Sequence, residues 1–140
     1  MRSTSKPTPG QSAAYELQRP VFLLLGRLRE CIERGCCREE TVVLLLGLGS
    51  EIEGLFAGQE QELARAHYPG IKAHRLEHAA LILNLHALAR ELSRGAAVSP
   101  GECLEQFSER LEAHFDVSDH RLEPYLERAQ LMGYAERAAC

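Results

Sequence analysis

Four long stretches of apolar residues at helical spacing, separated by short polar or Gly/Pro breaks, limit what this chain can fold into. The first runs from about Arg19 to Glu33 and carries Val21, Phe22, Leu24, Leu25, Leu28 and Ile32, with residues 13–18 either adding a turn before Pro20 or packing as an extended arm. The second runs from about Arg38 to Ala66 and continues its stripe through Ile52, Leu55, Phe56 and Leu63. The third starts at Pro69 and ends by Gly95 with Ile71, Leu76, Ala80, Leu83, Leu85, Leu88 and Leu92 as its apolar positions, and the fourth opens at Ser99-Pro100 and carries Leu104, Phe107, Leu111 and Phe115. Recurrence every three to four residues marks amphipathic helices. Four such helices with short connections predict an all-α fold, an antiparallel up-down-up-down four-helix bundle, in which metal sites are built from side chains on facing helices.

Local signals set the expected boundaries. Gly35 follows the first helix, Glu39-Glu40 suits the positive N-terminal end of the second, and Ser99-Pro100 supplies a cap and a first-turn proline for the fourth. Gly47 and Gly49 lie inside the second helix, where each costs about 1 kcal/mol relative to Ala, so close packing or a bend is expected there. Beyond Asp119, residues 120–132 predict a short extra C-terminal helix, with Pro124 as a new first turn or a kink and Gly133 as its end. The expected organisation is a disordered tail over 1–12, a bundle over 13–132 and a frayed tail over 133–140.

A length of 140 residues suits one domain. The 16 basic and 20 acidic side chains are interleaved along the same segments, which argues against a nucleic-acid partner. The longest apolar run, Val42 to Gly49, is far shorter than a membrane span, and no apolar segment directly follows the N-terminal Arg and Lys as a secretory signal requires. Five cysteines, an odd number with an adjacent pair at Cys36 and Cys37, do not make a disulfide framework or a zinc ribbon. Free thiols in a reducing compartment, hence a cytoplasmic protein, are the expectation.

The chemistry concentrates at His74-Arg75-Leu76-Glu77-His78. Two histidines four residues apart on a helix lie about 40° apart around the axis and one turn apart along it, so both imidazoles can face one point. One helix further on, His114-Phe115 and Asp119 add an imidazole and a carboxylate; these two lie about 140° apart on an ideal helix, so the helix is expected to loosen or end near Val117. Glu77 is expected to point away from that centre toward a surface cation. Glu51 and Glu60 read as solvated groups, and His67, His86 and His120 as non-ligands.

Taken together, Tyr68-Pro69, then His74 and His78, then His114-Phe115 and Asp119 resemble the second half of the bacterial hemerythrin pattern. That resemblance implies a hemerythrin-like bundle in which His74, His78, His114 and Asp119 hold a metal. The family holds two irons with five histidines and two bridging carboxylates. Counting back from Tyr68-Pro69, its second-helix histidine falls on Leu55 and its bridging glutamate on Gln59, and its first-helix histidine falls on Gln18. The ligands of the second iron are therefore missing. Gln59 becomes a second-sphere group or a weak ligand.

The resemblance implies one non-haem iron that senses or handles O2, reactive oxygen species or NO. By ligand type, manganese and zinc suit the same residues. Three His, one Asp and a Gln-bonded solvent are also the ligand chemistry of iron and manganese superoxide dismutases, which have another fold. Zinc would instead make a structural site, and a site of relic histidines would leave a non-enzymatic interaction module. The leucine content of the first two helices leaves room for a homodimer interface beside the core.

Overall fold

The computed structural model describes the backbone over 9–95 and 99–138; within those spans, the side chains of 9–15, 118, 119, 134 and 138 lie outside the described residues. The described residues form four helices: α1 (Pro9–Glu33), α2 (Arg38–Arg65), α3 (Ile71–Ser93) and α4 (Pro100–Ala138). α2 and α4 each pack against all three other helices. The core is built from Val21, Leu25 and Leu28 of α1, Leu45, Leu48, Ile52 and Phe56 of α2, Leu81, Leu85 and Leu88 of α3, and Leu104, Leu111 and Phe115 of α4. Each such side chain contributes roughly 1.5–3 kcal/mol on burial, which holds the helices against one another. On α3 the expected Leu76 and Leu83 are exposed, and Leu81 takes a core place outside the expected stripe.

The helix ends follow from local chemistry. Ser99 Oγ accepts the backbone N–H of Glu102 at 3.4 Å, at the start of α4. Gly35 sits at φ +69°, where the N–H groups of Gly35 and Cys36 reach back to the carbonyls of Ile32 and Cys31 at 3.1 and 2.9 Å. This paired cap turns the chain sharply after α1. α2 ends in the same bond pattern, Tyr68 to Leu63 and His67 to Ala64, but with His67 at φ 55° in the left-handed position. Such a conformation costs a non-glycine residue on the order of 1 kcal/mol.

Several boundaries differ from expectation. α1 begins at Pro9 rather than near Arg19 and runs through Pro20, which removes one N–H but leaves the apolar stripe intact. The expected tail over 1–12 is thus described only from Pro9, where it is helical. The segment after Asp119 is helical and joins α4 without interruption; Pro124 lies inside the helix, and Gly133 does not end it. Of the two glycines in α2, Gly49 is buried, and a Cβ there would lie 3.4 Å from Leu85 Cδ2. Gly47 faces open space, so only Gly49 reflects a close helix approach.

By length and composition α2 is apolar enough to cross a membrane, and 33% of its most apolar 18-residue window is buried. Its inner face nevertheless belongs to the common core, because Leu45, Leu48, Ile52 and Phe56 are each at most 1% exposed.

Candidate metal centre

α3 sets His74 and His78 one turn apart on its buried face, and α4 brings His114 opposite them. All three are buried, at 6%, 2% and 9% exposure. The ring centroids are 4.1 Å apart for His74 and His78, 5.0 Å for His74 and His114, and 4.9 Å for His78 and His114. One nitrogen from each ring lies within 4.8 Å of the others, close enough for small side-chain rotations to bring all three onto one cation. Metal–imidazole bonds of about 2.1 Å require nitrogens roughly 3.4 Å apart.

The surroundings fix each ring differently. Phe56 of α2 stacks on His78 with centroids 3.7 Å apart and planes 3° from parallel. Neither ring nitrogen of His78 has a hydrogen-bond partner; Nδ1 is 3.7 Å from Glu60 Oε1, beyond hydrogen-bond range. His74 Nε2 donates to Gln59 Oε1 at 2.6 Å, which leaves the lone pair of that ring on Nδ1. His114 Nδ1 donates to Glu77 Oε2 at 3.1 Å. A carboxylate behind an imidazole fixes its tautomer and strengthens its other nitrogen as a donor to metal.

Burial holds His74 and His78 neutral. The pKa of His78 is pushed down to about 3, first by desolvation and then by His74 and His114. That of His74 is pushed down to about 4 by desolvation, His114 and Arg121, against an opposing pull from Glu77. Neutral imidazole is the form that ligates metal, so both rings are poised to bind without losing a proton at neutral pH.

Beside His74 and His114, a groove of about 570 Å³ opens between α3 and α4, with Tyr68, Glu77, Arg110 and Arg121 among its walls. It gives a small molecule a path to two of the three imidazoles. Arg121 makes that path electropositive on one side.

The structure therefore brings together His74, His78, His114 and Gln59. Asp119 lies on α4 five residues after His114, and the helix neither loosens nor ends near Val117 as its ligation requires, so its backbone position is about 140° round the axis from that of His114; its side chain falls outside the described residues. Leu55 packs against the apolar core, and Gln18 is a buried polar residue of α1. Glu77 corrects the sequence-based expectation. Its backbone position points off the metal side, yet its side chain is long enough to cross to α4 and accept from His114. Glu60, expected in solvent, is instead half-buried beside His78 and Arg75. Neither role has a sequence signal, since each depends on which residue the facing helix presents. His86 pairs loosely with Glu53 at 3.4 Å, outside the cluster.

The donor set fits a borderline divalent cation. Three imidazoles converge, and one of them, His78, is buried with both nitrogens unpartnered; a metal bond would satisfy its lone-pair nitrogen. Comparison of the chain with protein-family models, with curated proteins and with solved structures gives no match.

Proposed function

We propose that this chain is a hemerythrin-like up-down-up-down bundle that holds a single non-haem iron through His74, His78 and His114, with Asp119 joining as the fourth ligand only if α4 loosens near Val117 when metal binds. In this reading it senses or handles O2, reactive oxygen species or NO at an open position on the metal. The observation that carries the proposal is the convergence of three buried imidazoles from two helices, with His78 lacking any hydrogen-bond partner. Leaving such a group unsatisfied costs about 1–3 kcal/mol, which a metal bond offsets. The groove between α3 and α4 supplies access, and Gln59 stands where it can orient a solvent or ligand molecule after releasing His74 Nε2. The free thiols at Cys31, Cys36, Cys37 and Cys103 accord with a reducing, cytoplasmic setting.

The test is metal content per chain, on untagged protein purified aerobically and anaerobically. About one iron per chain, lost in His74→Ala and perturbed spectroscopically by NO, is the expected result. Two irons would mean that Leu55, Gln59 and Gln18 do not mark a lost site. One zinc, or no metal under either condition, would reject the redox reading.

A second reading concerns the outside of α2 and is compatible with the first. Val43, Leu46, Gly47, Ser50, Gly54, Ala57 and Gly58 are all exposed and fall within an arc of about 120°. That face carries no charge between Glu39 and Glu40 at one end and Arg65 at the other. It suits antiparallel contact with the same face of a second copy.

A further inference from the structure

A second group of metal-binding side chains lies in the turn between α1 and α2. Gly35, at φ +69°, folds the chain back so that the Cys36 N–H reaches the Cys31 carbonyl at 2.9 Å. This cap sets the two cysteines side by side across the turn. Glu40 stands in the first turn of α2. Thr41, buried beneath it, donates its hydroxyl to the Cys37 carbonyl at 3.1 Å and lies 3.8 Å from Cys31 Sγ. The turn is thereby tied to α1. As a result Cys31 Sγ, Cys36 Sγ and a Glu40 carboxylate oxygen all lie within 4.8 Å of one another.

Burial grades outward from Cys31, which is 3% exposed, through the half-buried Cys36 to the exposed Glu40. The group has a closed floor and an open mouth. The Cys36 thiol is pushed up to about 11, first by its hydrogen bond with Cys31, then by burial and by Glu40. Its proton stays on as long as no cation answers the crowded sulfur and carboxylate atoms.

Tetrahedral zinc, with Zn–S bonds of about 2.3 Å and Zn–O bonds of about 2.1 Å, needs donor atoms roughly 3.5–3.8 Å apart. Side-chain rotations alone close that difference. Paired thiolates favour thiophilic cations over magnesium or calcium. We infer that Cys31, Cys36 and Glu40 form a second cation site, for zinc or a similarly thiophilic divalent ion, which clamps the start of α2 to the end of α1. Both thiols give up their protons to solvent when the ion binds, and the fourth position is left to water. The site shares no residue with the histidine cluster, so it stands or falls independently of the proposed function.

Cadmium is the probe, because thiolate-to-cadmium charge transfer absorbs in the ultraviolet and histidine ligation is silent there. Reduced full-length protein titrated with Cd²⁺ should develop this band to saturation, with about two protons released per thiolate-bound ion. Cys36→Ser should abolish the band, and Cys37→Ser should leave it intact. Glu40→Gln, at an exposed position that does not threaten folding, should weaken binding roughly tenfold or more. A missing band in the natural sequence, a band that survives Cys36→Ser, or an affinity indifferent to Glu40→Gln would overturn the assignment.

Discussion

His78 is the residue whose surroundings are hardest to explain by packing alone. Its ring lies flat on Phe56 and is 2% exposed, yet both nitrogens lack partners. If metal binding is what retains it, an apolar ring of similar shape should serve the fold better and the site not at all. His78→Phe is therefore expected to stabilise the metal-free protein by about 1–2 kcal/mol in urea unfolding, and to abolish metal uptake. Destabilisation of the metal-free variant would show that the imidazole has a structural partner. Acid should act through the same residues. In the unfolded chain these imidazoles titrate near 6.5, against about 4 for His74 and about 3 for His78 in the folded protein. Between those limits the unfolded chain binds more protons, so stability is intact above 6.5 and is lost as pH falls toward 3. Chelator-treated protein should lose on the order of a few kcal/mol between about pH 7 and pH 4, and His78→Phe should lose less. A flat profile would mean that solvent reaches the cluster.

At the level of helices, periodicity located α2, α3 and the start of α4, because each has a wide apolar stripe and a clear terminal signal. Arg38 opens α2 as expected, and Ser99-Pro100 caps and opens α4. Two signals misled where packing outweighed them: Pro20 does not start α1 and Gly133 does not end α4, whereas of the two alternatives at Pro124 only the new first turn is excluded. Pro20 and Pro124 each remove one backbone hydrogen bond, which one turn of buried apolar contacts on either side can offset: Val21 and Leu25 around Pro20, Leu122 and Ala129 around Pro124. The candidate site was legible to the same degree. Spacing on one helix reveals His74 and His78, but Glu77 meeting His114 depends on how α3 and α4 face each other, which no spacing within α3 encodes. Gly26 allows a direct test of the helix account. It lies mid-way along α1, and a Cβ there would meet nothing within 4 Å. Gly26→Ala should therefore stabilise the protein by about 1 kcal/mol, read from the denaturant midpoint at constant slope. A loss of stability would show that the backbone of α1 at this point is not plain helix.

The whole molecule presents two kinds of surface that a single bundle does not use. One is the groove onto the histidines, and the other is the outer face of α2. Large apolar side chains are exposed on all four helices, so exposure alone does not select an interface. What distinguishes α2 is continuity. From Val43 to Gly58 its outward arc is uncharged, and three glycines, Gly47, Gly54 and Gly58, leave room for another backbone to approach. Glu39 and Glu40 at one end and Arg65 at the other close the same arc with opposite charges. Parallel pairing would set like charges together at both ends, whereas an antiparallel twofold pair sets Glu39 of each copy near Arg65 of the other. The natural sequence is accordingly expected to sediment as a dimer at micromolar concentration. Gly54→Arg, which places charge near the crossing point, should give monomers while leaving metal content per chain unchanged. Arg65→Glu should weaken the dimer, and the double exchange Glu39→Arg with Arg65→Glu should restore it. A chain that stays monomeric throughout would leave α2 as a core helix with an idle outer face. A dimer indifferent to all three substitutions would place the contact elsewhere on the bundle.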